Sequence, residues 1–215
     1  MKNFIFVSDF DATLTEKDFY HIVIDECLGE PGRELYRKFK SGELRDIEFL
    51  ASVFKNMNRD EAGVIKVISK IKLDNYTQHF INNIHNHGGD FTVLSAGVEY
   101  YINKLFELRG ISNAPVIANH GYYADRGIKT IVDEKSSFYS ELYGIDKARI
   151  VQSLRTKYKK IYYAGDGLPD YKAASLSDLV FAKSELANQL SVNGQNFVPF
   201  NCFKEIDEYL KKNEF

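Results

Sequence analysis

Asp9 and Asp11 stand two residues apart in Ser8-Asp9-Phe10-Asp11-Ala12-Thr13, a polar stretch that follows the apolar run Phe4-Ile5-Phe6-Val7. One carboxylate could attack a phosphorus centre as a nucleophile, giving an aspartyl-phosphate and dividing one hard step into two. The other could protonate the leaving oxygen and later take a proton from the hydrolytic water. A second carboxylate nearby raises a pKa in the direction that such an acid needs. Standing alone, the same residues read as an Asp-rich turn off a strand. A calcium loop over residues 9–20 fails on position, with Leu14 where the sharp-turn glycine belongs and Tyr20 where the bidentate glutamate belongs.

Three further groups carry chemistry. Gly165-Asp166-Gly167-Leu168-Pro169-Asp170 offers hard oxygen ligands of the kind Mg²⁺ prefers, between glycines that let the backbone approach closely. Asp166, with Asp9 and a backbone carbonyl of Asp11, could hold a metal that neutralises a phosphate. Ser95-Ala96-Gly97 places a hydroxyl and backbone N–H groups before a helix, as in a phosphate cradle, although a serine there also serves as an N-cap. Lys147, at the start of a helix capped by Asp146, could screen Asp9 against a phosphate and stabilise its oxygens, or lie on an exposed helix surface. His85 and His87 lack a paired ligand nearby and suit the end of a helix better than a metal site.

These groups must be positioned by strands and helices. Phe4–Val7, Phe91–Leu94, Ile161–Ala164 and Leu179–Phe181 read as strands buried on both faces, with a further strand near Phe197-Val198. Ile47, Leu50, Ala51 and Phe54, then Val64, Ile65, Ile68 and Ile71, follow helical spacing, as do Tyr76, Phe80, Ile81 and Ile84. Val98, Tyr101, Ile102, Leu105 and Phe106 continue the pattern, and Ile150, Val151, Leu154 and Tyr158 form a later stripe. A small β element spans Val116-Ile117, Tyr122-Tyr123 and Ile128–Val132. Strands alternating with helices imply an α/β fold with a mostly parallel sheet, and ligands of such a sheet bind beyond the carboxyl ends of its strands. Asp9, Asp11, Ser95, Asp166 and Asp170 all fall there. The helical stretch after the first strand is too long for one crossover and reads as an insertion.

The chain has 215 residues, with 28 basic against 30 acidic side chains and a net charge of -2. That balance points away from nucleic acid, whose backbone requires clustered Lys and Arg. Arg155–Lys160 is a short basic run expected at a solvated helix end. Cys27 and Cys202 are far apart, which excludes a disulfide framework and a structural zinc site. No run of about 18 apolar residues could span a membrane, and the apolar N-terminal run is too short for a signal peptide, so a cytoplasmic location is expected.

In order and spacing, Asp9-Phe10-Asp11-Ala12-Thr13-Leu14-Thr15, Ser95-Ala96-Gly97, Lys147 and Gly165-Asp166-Gly167-Leu168-Pro169-Asp170 resemble the four motifs of the haloacid dehalogenase superfamily, over the whole chain. The resemblance implies a Rossmann-like core (residues 1–14 and 75–215) with an inserted helical cap of the C1 type (15–74). It implies Asp9 as nucleophile, Asp11 as general acid/base, and Thr13 in support of the loop. Ser95, Ala96, Gly97 and Lys147 would bind phosphate. Mg²⁺ would sit on Asp9, Asp11 and Asp166, and Asp170 would hold the metal site or Lys147. An aspartate at position 11, absent from the dehalogenases, implies phosphoryl transfer.

Within the superfamily the chain is similar to the phosphoserine phosphatase-like branch. The tract from Gly165 to Lys183 looks closest to the methionine-salvage phosphatases that act on 2-hydroxy-3-keto-5-methylthiopentenyl-1-phosphate. It departs from them at Ser136–Gly144, where a cysteine-containing stretch is expected. A small phosphorylated metabolite is the implied substrate, and the oligomeric state is not readable. Specificity should reside in the cap: Glu16, Lys17 and Asp18 near its entrance, Arg45 and Lys55 from its helices, with Asp18 for an amine and Arg45 for a carboxylate if the substrate is phosphoserine. Alternatives are another small-metabolite phosphatase, a phosphomutase, a phosphate-accepting receiver and a non-catalytic binding protein. A receiver needs neither Asp11 nor the insertion, and a binding protein would be expected to have lost Asp9 or Asp11.

Overall fold

β-Branched and aromatic runs bury both of their faces only when helices cover a sheet from two sides. In the computed structural model, which describes residues 2–215 (Met1, the first residue of the expected core, lies outside them), those runs become the central strands. The strands are β1 (Lys2–Ser8), β2 (Asp90–Val98), β3 (Val116–Ala124), β4 (Gly127–Ile131), β5 (Tyr139–Ser140), β6 (Gly144–Ile145), β7 (Tyr158–Gly165), β8 (Leu179–Ala182) and β9 (Val198–Pro199). Seven of them form one sheet in the order β4-β3-β2-β1-β7-β8-β9, parallel except for the β3–β4 hairpin. The fold is α/β and Rossmann-like. β2 and β7 flank β1, so the strand order reverses beside β1, the switch point where open parallel sheets bind ligands.

The helices are α1 (Phe19–Val23), α2 (Glu30–Lys40), α3 (Asp46–Lys55), α4 (Glu61–Ile68), α5 (Thr77–Asn86), α6 (Glu99–Arg109), α7 (Lys147–Leu154), α8 (Tyr171–Ser175), α9 (Ser184–Val192) and α10 (Phe203–Asn213). α1 runs directly into a wider turn of π-helix at Ile24–Leu28. α1–α4 follow one another without a strand, and an isolated bridge between Thr15 and Leu73 ties the chain on either side of them. This helical unit packs against the β3–β4 hairpin. The backbone of Gly127 lies against the carbonyls of Phe54 and Lys55 so closely that a Cβ would collide with both. The Arg59 N–H donates to the Arg126 carbonyl at 2.9 Å.

Several boundaries differ from the periodicity. β2 continues past Ser95 to Val98, because Val98 pairs with Asn119 of β3 after a register shift. Helix α7 ends at Leu154, and Tyr158 opens β7 instead of extending the helical stripe, since Lys2 of β1 pairs with it. The basic run at Arg155–Lys160 is therefore a turn into an edge of β7. Arg155 there is paired with Asp178 at 2.5 Å. Helix α10 was not anticipated, although Phe203, Ile206 and Leu210 give it an apolar stripe.

Phe6 is fully buried at the centre of β1, with ring centroids of Phe80 at 4.7 Å, Phe181 at 6.0 Å and Phe91 at 6.1 Å. Those contacts join β2 and β8 to α5, which makes Phe6 a central packing element. Replacing Phe6 with Ala is expected to destabilise the fold by about 3–5 kcal/mol, from lost burial and the cavity left behind. A urea titration should show a lower midpoint with an unchanged slope.

Candidate active site

The carboxyl ends of β1, β2 and β7 converge on one cavity of about 100 Å³. Asp9 follows β1 directly, its N–H donating to the Ala164 carbonyl of β7 at 2.9 Å. Ala12 turns the loop with a φ of 53°, a left-handed conformation that a non-glycine residue adopts at some cost in strain. The turn is stabilised by Thr15, whose Oγ1 accepts from the Ala12 N–H at 3.0 Å. The cavity is lined by Asp9, Asp11, Ser95, Ala96, Gly97, Lys147, Asp166, Gly167, Pro169 and Asp170, so ten of the motif residues meet there. Thr13 stands beside them. Its hydroxyl lies 2.9 Å from Asp166 and 3.3 Å from Asp9.

Lys147 is 4% exposed, and its ammonium donates to Asp9 Oδ1 at 2.6 Å and to Asp170 Oδ1 at 2.7 Å. Asp170 is saturated: Oδ1 also accepts from the Tyr163 hydroxyl at 2.7 Å, and Oδ2 accepts from the Asp166 and Gly167 N–H groups at 3.1 Å. It therefore anchors Lys147 and the loop. Gly165 makes room for it, because a Cβ at that position would lie 2.7 Å from the Asp170 carboxyl carbon. Burial opposes the charge on Lys147, yet Asp170 and Asp9 outweigh it and raise its pKa.

Asp11 has different neighbours. Its Oδ1 accepts from the Phe19 N–H at 2.8 Å, and its other oxygen from the buried Tyr101 hydroxyl. Burial first, then repulsion from Asp18, pushes Asp11 up to about 8, despite both hydrogen bonds. A carboxyl that keeps its proton at neutral pH is suited to act as a general acid. Gly97 admits Tyr101: a Cβ there would collide with the tyrosine hydroxyl and lie 3.0 Å from Asp11 Oδ2. Ser95 is buried, with its Oγ accepting from the Gly97 N–H at 3.0 Å. Asn119 holds the adjoining backbone by donating to the carbonyls of Ala96 and Tyr143 at 2.7 and 2.9 Å.

Oxygens of Asp9, Asp166 and Asp170 lie within 4.8 Å of one another. Burial and the nearby Asp170 push Asp166 up to about 7, and the same causes raise Asp9 against the pull of Lys147. Six aspartates face the cavity (Asp9, Asp11, Asp18, Asp46, Asp166 and Asp170) against the one ammonium of Lys147. Buried and half-buried carboxylates in such excess, all hard oxygen donors, suit a divalent cation such as Mg²⁺. Asp9 and Asp166 have the free capacity to hold it.

The specificity residues divide. Asp18 lines the cavity, with Tyr20, Leu50, Phe54 and Asp46. Arg45 does not. It sits just before α3, its guanidinium bound to Glu48 at 2.6 Å and Glu141 at 3.2 Å on the outside. The residue that turns inward is Asp46, one position later. Glu16 pairs with Lys72 at 2.8 Å, Lys17 lies 3.8 Å from Asp25, and neither they nor Lys55 line the cavity. The ring nitrogens of His85 lie 3.1 Å from the carbonyl oxygens of Gly89 and Asn113, and Nδ1 of His87 lies 2.8 Å from that of Asn83, as loop staples. A larger groove of about 770 Å³, bordered by Thr13, Lys72, Arg109 and Lys183, contains none of Asp9, Asp11, Asp166 and Asp170. Tyr101, Tyr163, Asn119 and Asp46 were not anticipated from sequence. Tyr101 belongs to the apolar stripe of α6, where its hydroxyl carries no separate signal.

The raised acids have a thermodynamic consequence. Asp11 near 8 and Asp46 and Asp166 near 7 hold protons more tightly in the folded than in the unfolded chain. The stability they contribute is complete below the unfolded carboxylate value and is lost as pH rises through 7 to 8. Thermal unfolding in EDTA is therefore expected at falling temperatures between pH 6 and pH 9, with Mg²⁺ reducing the fall. A midpoint independent of pH would contradict the raised values. Lys147→Met, which leaves Asp9 and Asp170 without their counter-charge, is expected to cost about 3–5 kcal/mol at pH 8. Part of that loss should be recovered at pH 5, as Asp9, raised by its burial, takes up a proton.

No protein-family model matches the chain. It is similar over nearly its full length to curated proteins named 2-hydroxy-3-keto-5-methylthiopentenyl-1-phosphate phosphatase. The relative from Lysinibacillus sphaericus is 24% identical, with 99% of this chain and 97% of the relative covered. That from Bacillus cereus is 23% identical, with 94% of each covered. Among solved structures, a phosphoserine phosphatase captured as an analogue of its phospho-aspartyl intermediate has a TM-score of 0.69 at 18% identity, covering 97% of this chain and 99% of that one. A substrate-bound phosphoserine phosphatase has a TM-score of 0.70 at 18% identity, with the same coverage. A haloacid dehalogenase-family hydrolase from Salmonella enterica serovar Typhi has a TM-score of 0.75 at 16% identity, covering 100% of this chain and 72% of that one. The chain thus shares the fold of phosphoserine phosphatases and is similar over nearly its full length to proteins named as phosphatases.

Proposed function

We propose that the chain is a Mg²⁺-dependent phosphomonoester hydrolase acting on a small phosphorylated metabolite through an aspartyl-phosphate. The reading rests on one observation above the others: Asp9, in contact with Lys147, and Asp11, held by Tyr101 and the Phe19 N–H, face the same cavity with different partners. In this reading residues 1–14 and 75–215 form the catalytic core and residues 15–74 a cap over it.

The Asp9 carboxylate attacks phosphorus and forms a P–O bond as the ester P–O bond breaks. The Asp11 proton passes to the departing alkoxide. A water then gives its proton to Asp11 and attacks the phosphoryl group, breaking the bond to Asp9 and releasing inorganic phosphate. Lys147, Ser95 and the backbone of Ala96 and Gly97 hold the phosphoryl oxygens. Asp9, Asp166 and a carbonyl of Asp11 would hold Mg²⁺, which when bound offsets the charge between phosphate and carboxylates. Thr13 keeps Asp9 and Asp166 in register. Asp170 keeps Lys147 in place.

The printed name of the relatives supports 2-hydroxy-3-keto-5-methylthiopentenyl-1-phosphate as the first metabolite to assay. Its leaving group is uncharged, and Leu50 and Phe54 offer it an apolar wall.

Purified protein is expected to release phosphate from p-nitrophenyl phosphate with Mg²⁺ and to stop when EDTA is added. Asp9→Asn should lose at least about 10³-fold in turnover while keeping the far-UV circular dichroism of the parent. Equal turnover by parent and variant would remove the nucleophile assignment. A phosphorylated product in place of free phosphate would identify a mutase.

A further inference from the structure

Tyr101 carries a polar hydroxyl at the end of an apolar nest. It lies on the buried face of α6, 1% exposed, with the rings of Phe19, Phe54 and Phe10 at centroid distances of 4.6, 5.5 and 6.0 Å. A phenylalanine would meet such packing equally well, and burying a hydroxyl among these rings is costly unless a partner receives it. Among the described residues that partner is Asp11 Oδ2 alone. The backbone makes room for the contact, because a Cβ on Gly97 would strike the hydroxyl. Phe19 opens α1 and Phe54 belongs to α3, so the ring packs against both the first loop and the inserted helices. Phe19 also supplies a second donor, its N–H reaching Asp11 Oδ1 at 2.8 Å. Each oxygen of Asp11 thus has one donor, the first from α6 and the second from the start of α1.

We propose that Tyr101 is a positioning residue for the leaving-group proton: its hydroxyl fixes the plane of the Asp11 carboxyl and stays as a donor to the carboxylate left behind. This deepens the hydrolase reading above and rests on it. As the ester P–O bond breaks, the Asp11 proton moves to the departing alkoxide. The O–H electron pair remains on Asp11, and Tyr101 keeps its own proton. Negative charge therefore appears on a carboxyl whose oxygens already face the Tyr101 hydroxyl and the Phe19 N–H. Donors set in advance where charge develops lower the barrier without reorganisation during the step. The benefit grows with the need for proton transfer, so it is large for a basic alkoxide and small for p-nitrophenolate, which departs as a stable anion.

The test compares benzyl phosphate with p-nitrophenyl phosphate, aromatic esters of similar size whose leaving groups differ widely in basicity. It reads kcat/KM, which covers the steps through cleavage of the ester bond. Tyr101→Phe is expected to lower the ratio of kcat/KM for benzyl phosphate to that for p-nitrophenyl phosphate at least about tenfold. Asp11→Asn should lower the same ratio further, about 10²-fold or more. Because the ratio cancels the folded fraction, a merely structural role of the hydroxyl would reduce both rates by one factor and leave it unchanged. An unchanged ratio in Tyr101→Phe beside a fallen ratio in Asp11→Asn overturns the positioning role and leaves the hydrolase reading standing. An unchanged ratio in both variants removes the acid role of Asp11 and the proposal with it. Absence of turnover on p-nitrophenyl phosphate by the parent overturns the hydrolase reading as a whole.

Discussion

A buried ammonium held between two buried carboxylates organises this protein. Lys147, Asp9 and Asp170 come from the start of α7, the end of β1 and the loop after β7, and each is almost wholly removed from water. A charge in that position survives only if it is paired and its partners are themselves satisfied. The surrounding architecture meets that condition. Tyr163 and two backbone N–H groups complete the coordination of Asp170, and the missing side chain of Gly165 leaves space for its carboxyl. The loop after β7 is shaped by this ion pair, and Asp166 is carried into place with it.

The same pair separates the two aspartates of the first loop. Asp9 faces a lysine. Asp11 faces a tyrosine hydroxyl, a backbone N–H and the acid of Asp18, and keeps its proton to about pH 8. Residues of identical type, two positions apart, thus acquire different partners from their surroundings alone. The Phe19 N–H belongs to the first helix of the inserted unit, so the orientation of Asp11 depends on where that unit packs. Phe54 and Leu50 of α3 close the cavity from the same side, and Gly127 of the β3–β4 hairpin lets α3 approach.

Much of the core was legible because both-face burial leaves a continuous apolar run. Phe4–Val7, Phe91–Leu94, Ile161–Ala164 and Leu179–Phe181 all lie within strands of the sheet. Boundaries were less legible where a distant partner sets them. The pairing of Val98 with Asn119 carries β2 four residues past Leu94, and the pairing of Tyr158 with Lys2 turns an apparent helical position into a strand. Arg45 and Asp46 illustrate a different limit. Arg45 is the extended residue before α3 and Asp46 its first, so only the way the chain enters the helix decides which of them reaches the cavity. Sequence spacing selects the arginine as readily as the aspartate.

By itself, the sequence determined the alternation of strands and helices, and the order of acidic, hydroxyl and basic groups at the strand ends. These are written in local periodicity and in residue type. Tertiary structure decided which of those groups touch. Lys147 reaches Asp9 across 138 positions, Thr13 reaches Asp166 across 153, and Tyr101 reaches Asp11 across 90. Such contacts follow from the placement of β2 and β7 on either side of β1. That placement is a property of the packed sheet, in which burying apolar faces brings the polar ends of distant segments to one rim.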